Sequence, residues 1–145
     1  TAVTNDLGVG QIFSSVPEVE VVVLGGRLRH GSLTLLGDPG IGFMKDIQAD
    51  VALIGTHAIS AGVLTDTSIE ISTMKRAMIA SARKVLLLAD ADKFRPAAFF
   101  RICDIGLVHE IITDARADPA AVRELRDAGL TVTVVEVMRS ADVVA

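Results

Sequence analysis

The strongest constraint on the fold is a repeated alternation. Strand-length apolar runs recur along the chain, and helical patterns fill the intervals between them. Glu20-Val-Val-Val-Leu24 is stopped by Gly25-Gly26, Val51-Ala-Leu-Ile54 by Gly55-Thr56-His57, and Val85-Leu-Leu-Leu-Ala89 by Asp90. Glu110-Ile-Ile112 stops at Thr113-Asp114, and Leu130 to Val137 forms a last, valine-rich strand. Thr1 to Asn5 reads as the end of another strand, and Leu33 to Leu36 adds a short one. Runs without polar alternation belong to parallel strands buried on both faces, so the expected class is α/β, a mostly parallel sheet with flanking helices.

Two intervening helices are argued from their ends. Thr67 and Glu70 have capping-box spacing, and Ile71, Met74, Met78 and Ala82 then form one apolar stripe, predicting a helix over 68–83. Asp118 caps a second helix with Pro119 at its first position, Val122 and Leu125 face inward, and Gly129 takes the left-handed terminal place. Weaker patterns predict helices over 6–14 and 39–47, where Gly8, Gly10, Gly40 and Gly42 each lower helical preference by ~1 kcal/mol relative to Ala.

With 145 residues, half of them apolar, the chain can bury one core. None of its apolar runs approaches the ~20 residues needed to cross a bilayer. The net charge of -4, with Lys and Arg scattered, excludes the basic stripe of a phosphate-backbone binder, so these residues should not grip DNA. The single cysteine, Cys103, excludes an internal disulfide and reads as a small core residue. No leader opens the chain and a cytoplasmic protein is expected, although Thr1-Ala-Val-Thr4-Asn5 reads as a fragment of something longer.

In an open parallel sheet, ligands bind beyond the carboxyl ends of the strands. There the chain places Thr4-Asn5, Gly25-Gly26-Arg27, Gly55-Thr56-His57, Asp90-Ala-Asp92-Lys93 and Thr113-Asp114, an edge suited to a small, polar, anionic ligand. Gly25-Gly26 is either a tight turn or a place where phosphate meets bare backbone amides. Asp90 and Asp92 are turn and cap residues or position a sugar hydroxyl, and Lys93 either pairs with them or contacts phosphate. His57 is a ligand contact or an ordinary loop residue, and with His30 and His109 it matches no metal spacing. Lys75 reads as a solvated helix lysine and Glu70 as a capping residue. Gly37-Asp-Pro-Gly40-Ile-Gly42 fits neither a dinucleotide fingerprint nor a Walker loop, and no nucleophile elbow occurs.

Six segments in register resemble a known family. Val3-Thr4-Asn5, Val23-Leu-Gly25-Gly26, Asp50-Val-Ala-Leu-Ile-Gly55, Met74-Lys-Arg-Ala-Met-Ile79, Leu88-Ala-Asp90-Ala-Asp92-Lys93-Phe94 and Ile111-Ile-Thr113-Asp114 are similar to the C-terminal sensor domain of DeoR-type transcriptional repressors. The likeness covers residues 1–137, leaving 138–145 as a tail. It implies a Rossmann-like fold shared with ribose-5-phosphate isomerase and glucosamine-6-phosphate deaminase. It also implies a phosphorylated-sugar effector, DNA binding only through an N-terminal winged helix-turn-helix that would precede Thr1, no membrane partner, no cofactor, no metal and a homo-oligomer.

The resemblance places Thr4, Asn5, Gly25 and Gly26 on the phosphate side, Gly55, Thr56 and His57 on a ligand-edge loop, and Lys93 near phosphate and sugar. Asp90-Ala-Asp92-Lys93 has Asp92 where the family element has Ser, a negative charge that Lys93 or Arg95 would have to offset. The alternative is an isomerase or deaminase of the same fold. Those enzymes carry Gly-Ala-Asp-Glu where this chain has Gly55-Thr56-His57-Ala58, so the acid and base of proton shuttling are missing and no catalytic residue is assigned. The family's first strand and its Gly-Thr-Thr phosphate loop should likewise precede Thr1.

Overall fold

Why the apolar runs become a parallel sheet is visible in the pairing of the chain's computed structural model, which describes residues 1–137. Four strands, β5 (Ala49–Ile54), β8 (Ala82–Leu88), β10 (Glu110–Asp114) and β11 (Thr131–Val135), lie in the order β11-β10-β8-β5, every pair parallel. A second parallel pair joins β1 (Ala2–Thr4) to β2 (Val21–Val23), with Val3 opposite Val22. The short strand expected near Leu33 is β4 (Leu35–Leu36), antiparallel to β3 (Arg27–Leu28). The α/β class with a parallel sheet and flanking helices is therefore the observed one, of Rossmann-like type.

Helix ends follow local chemistry. Asp6 caps α1 (Leu7–Phe13), its Oδ1 accepting the N–H groups of Gly8 and Val9 at 2.9 and 3.1 Å. The second helix, α2 (Asp38–Met44), stops three residues short of the expected Ile47. The fourth, α4 (Pro119–Asp127), matches its expected signals: Asp118 accepts the Ala120 N–H at 2.8 Å, Val122 is buried, and Gly129 has φ +89°. The third, α3 (Ile69–Ala80), corrects the expectation at both ends. Its cap is Ser68, whose hydroxyl accepts the Ile71 N–H, and Glu70 pairs with Arg27 at 2.8 Å instead of closing a box with Thr67. Ala82 leaves the helical stripe to open β8 opposite Ala49, because the edge of β5 offers a backbone ladder there.

An antiparallel sheet accompanies the parallel one and was not foreseen. It consists of β6 (Ala58–Ser60), β7 (Val63–Asp66) and β9 (Phe100–Asp104), in the order β6-β7-β9. Its hairpin turns on Ala61 and Gly62, both with positive φ (48° and 72°), the pattern of a two-residue primed turn whose twist suits a hairpin.

The main core joins Ile54, Leu64, Val85, Leu87, Ile102, Ile111, Val122 and Val132, with Met78 and Ile79 of α3 and Leu125 of α4 against it. A smaller core, Leu24, Leu36, Met44 and Met74, joins the end of β2 to α2 and α3. Burial on both faces does not hold for the four-stranded sheet. Residues that alternate with the core set stay exposed, namely Val51, Leu53 at 62%, Leu88 and Val135, because among the described residues the main core lies on the other face. No helix among the described residues is long and apolar enough to cross a membrane.

Candidate functional site

Among the described residues, strand β1 pairs only with β2, and β5 only with β8, so each leaves one edge without a ladder. Residues of both, Thr1 to Asn5 and Ala49 to Gly55, line one cleft of about 1250 Å³. At the carboxyl ends of these strands the cleft brings together Thr4, Asn5, Gly55, Thr56, His57 and Lys93. These six expected site residues come from three separate loops.

Several of them also hold the loops in place. The Thr4 hydroxyl accepts the Asp6 N–H at 3.1 Å. Asn5 clamps β4, its Nδ2 donating to Leu35 O at 3.0 Å while its own carbonyl accepts the Leu35 N–H at 2.6 Å. Thr56 is buried, and its hydroxyl sits 3.0 Å from the carbonyls of Ala58 and Thr65. Arg95 donates through Nε to His57 O at 2.8 Å and lies 3.1 Å from His57 Nδ1 through Nη2. A guanidinium only donates, so Nδ1 is the acceptor and the ring proton of a neutral His57 belongs on Nε2.

Lys93 ends a 3-10 turn, Ala91–Lys93, that follows β8. Asp90 caps that turn, accepting the Asp92 N–H at 3.0 Å. The turn is tied down from β10, where buried Asp114 accepts the Ala91 N–H at 2.8 Å and the Arg116 Nε–H at 2.9 Å. The Arg116 guanidinium, with the Ala91 and Arg116 N–H groups, holds the Asp114 carboxyl well below the usual carboxylate range. Arg116 also lies 3.8 Å from Asp92. The cation beside Asp92 is thus Arg116, and among the described residues Lys93 has no carboxylate within 4.0 Å.

The remaining expected residues lie elsewhere. Asp92 points to Arg116, outside the lining of the cleft. Asp90 borders a separate, shallow depression of about 300 Å³ with Thr113 and Asp114. Gly25 and Gly26 are also outside the cleft lining. Gly26 has φ +151°, and a Cβ on it would fall 2.5 Å from Leu36 O, so close backbone packing accounts for this glycine.

Among the lining residues that sequence reasoning missed are Asp66 and Lys75. Asp66 ends β7, and its Oδ2 accepts Lys75 Nζ at 2.7 Å. Burial alone would raise the Asp66 carboxyl, but the Lys75 bond and charge, with the N–H groups of Thr67 and Ser68, hold it below its ordinary value. The one available signal was Lys75 beside Met74 within an apolar helical stripe. Among the described residues no group of three His, Cys, Asp or Glu side chains is placed to hold a metal ion.

The pattern of residues 1–115 matches the family model described as the DeoR C-terminal sensor domain. This chain belongs to that family. The sensor domain is 30% identical over 131 residues to the HTH-type transcriptional repressor CsqR of Escherichia coli K12, covering 90% of this chain and 50% of that protein. It is 29% identical over 136 residues to the HTH-type transcriptional repressor GlcR of Bacillus subtilis 168, covering 94% of this chain and 53% of the relative. The glycerol-3-phosphate regulon repressor of E. coli K12 is 28% identical over 126 residues, 86% of the sensor domain and 50% of the repressor. The chain thus spans about half the length of these curated relatives, each of which is named as a repressor.

Proposed function

We propose that this sensor domain binds a phosphorylated sugar or a related phosphorylated metabolite at the mouth of the cleft between β1 and β5. The observation that carries the reading is Lys93, a cation on an anchored turn that lines the cleft with no acidic partner among the described residues. Lys93 takes the phosphate, Asn5 and the Gly55-Thr56 backbone border it, and His57 lies at the rim. One relative carries glycerol 3-phosphate in its name, which fits this ligand class.

The two facing strand edges support a second part of the reading. An unpaired edge is a template for a further strand, and we propose that one from polypeptide beyond these 145 residues fills the body of the cleft and brings the phosphate loop to its mouth. In the full-length protein, a cytoplasmic homo-oligomer, residues 1–137 would then be the sensor and a winged helix-turn-helix the DNA reader. The effector would act by binding one arrangement of the two more tightly than the other, without catalysis. The expected tail, 138–145, lies outside the described residues.

Thermal-shift screening of the full-length protein against phosphorylated sugars and their unphosphorylated counterparts tests the reading. A phosphate-dependent rise in melting temperature, lost in Lys93→Ala, is expected. If no phosphorylated compound shifts the unaltered protein, the reading is wrong.

A further inference from the structure

Lys75 stands where α3 should present an apolar side chain. Ile71, Met74 and Met78 flank it along the helix, and all four residues line the cleft. The Lys75 side chain is only 19% exposed and that of Asp66 only 8%. Ion pairs buried this far are a poor way to stabilise a fold, since apolar residues of similar volume often do as well or better. Their presence in a cleft wall therefore asks for a role beyond packing.

The bonding inventory suggests one. An ammonium carries three N–H donors; Lys75 gives one to Asp66 and, among the described residues, has no other acceptor. A carboxylate offers about four acceptor positions, and Asp66 accepts from Lys75 and the Thr67 N–H. The pair keeps spare donors and a spare acceptor while its formal charge sums to zero. A hydroxyl group, which accepts and donates at once, matches that arrangement better than a phosphate does.

We propose that the Lys75–Asp66 pair reads a hydroxyl on the carbon chain of the effector, while Lys93 holds its phosphate. The proposal rests on the phosphorylated-metabolite reading of the cleft and adds the group that separates a polyol phosphate from bare phosphate.

Isothermal titration of the full-length protein with inorganic phosphate, glycerol 3-phosphate and ribose 5-phosphate tests it. The quantity to follow is the preference, the ratio of the inorganic-phosphate Kd to the tightest organic-phosphate Kd. Lys75→Met should lower that preference about tenfold or more, the scale of one charged hydrogen bond, so that the loss for the organic phosphates exceeds any loss for inorganic phosphate. Asp66→Asn, which keeps the volume, should lower it in the same direction, and it alone decides if circular dichroism shows Lys75→Met unfolded. Lys93→Ala should weaken every phosphate compound.

Three results overturn the proposal while the phosphate reading stands. They are a preference unmoved by both variants, an equal loss of inorganic phosphate in Lys75→Met, or an unaltered protein that binds organic phosphates no tighter than inorganic phosphate. An unaltered protein that binds none of the three, and whose melting temperature no phosphorylated compound shifts, defeats both readings.

Discussion

Replacing Gly40 with alanine tests how closely α2 packs on the end of β2. An ideal Cβ on Gly40 would lie 2.7 Å from the Gly25 carbonyl oxygen and 3.0 Å from Met74 Cε. Two effects oppose each other. Gly40 has no positive φ, so α2 itself should gain up to about 1 kcal/mol from the methyl group. Against this, carbon–oxygen contacts settle near about 3.3 Å or beyond, so the carbonyl has to retreat. Met74 can swing its terminal methyl aside, but Gly25 is joined to Gly26, whose Cβ position is already blocked by Leu36 O at 2.5 Å. Overpacking costs about 1–3 kcal/mol, and a backbone obstacle belongs in the upper part of that range, which leaves a net loss of about 1–2 kcal/mol. Gly42 is the internal control: it lies in the same helix, is exposed, and has nothing within 4 Å of its Cβ position. Gly42→Ala should keep the helical gain of about 0.5–1 kcal/mol. The two variants should therefore differ by about 1.5–3 kcal/mol, or about 3–12 °C in melting temperature for a domain near this size. Thermal and urea unfolding followed by circular dichroism measures the difference. Gly40→Ala as stable as the unaltered chain, or moving together with Gly42→Ala, would refute the packing argument.

Other perturbations follow from single observations. Ala61 holds φ 48° at an exposed turn beside Gly62, so Ala61→Asn, which tolerates that conformation, should raise stability by about 0.5–1 kcal/mol in urea unfolding. Asp114 and Asp66 have folded-state pKa values below those of the unfolded chain, so their contributions are fully present above about pH 4 and are lost progressively as pH falls from there towards the folded values, which for Asp114 lie far lower. The urea midpoint should drop between pH 4 and pH 2, and Asp114→Asn should drop less; equal falls would rule out Asp114 as a source of the acid limb. Burial first, and then the Asp104 charge, push the Cys103 thiol up, so a thiol reagent at neutral pH should label it only on unfolding.

Legibility followed the range of the interactions involved. Caps and breakers act within a few residues, which is why Asp118, Pro119 and Gly129 bounded α4 correctly. The error at α3 was one of competition: Thr67 and Ser68 both carry hydroxyls, and only the geometry after β7 selects Ser68. The hairpin at Ala61-Gly62 was harder to see because alanine stands where a primed turn usually has Asn or Asp. Six of the ten expected site residues share the cleft because the ends of parallel strands converge by topology. Lys75 and Asp66 escaped because a charge pair formed between a helix and a strand end leaves no mark in local sequence except one lysine in an apolar stripe.

The exposed strand β5 shows that an expectation which fails in the structure can still carry information. Val51 and Leu53 belong to an apolar run, yet both are exposed, and their backbone edge faces the cleft. Chains rarely keep such residues on an open strand, because a bare apolar edge templates further pairing. Among the described residues the edge of β5 away from β8 has no ladder partner. The same reasoning applies to β1, whose free edge lines the opposite part of the cleft lining. A strand seated at these two edges would complete their ladders, whereas covering the exposed face that carries Val51 and Leu53 takes a layer packed against it. The cleft between the edges adjoins Lys93, so a strand seated between β1 and β5 would form one wall of the ligand site and couple occupancy of the site to the segment that supplies the strand.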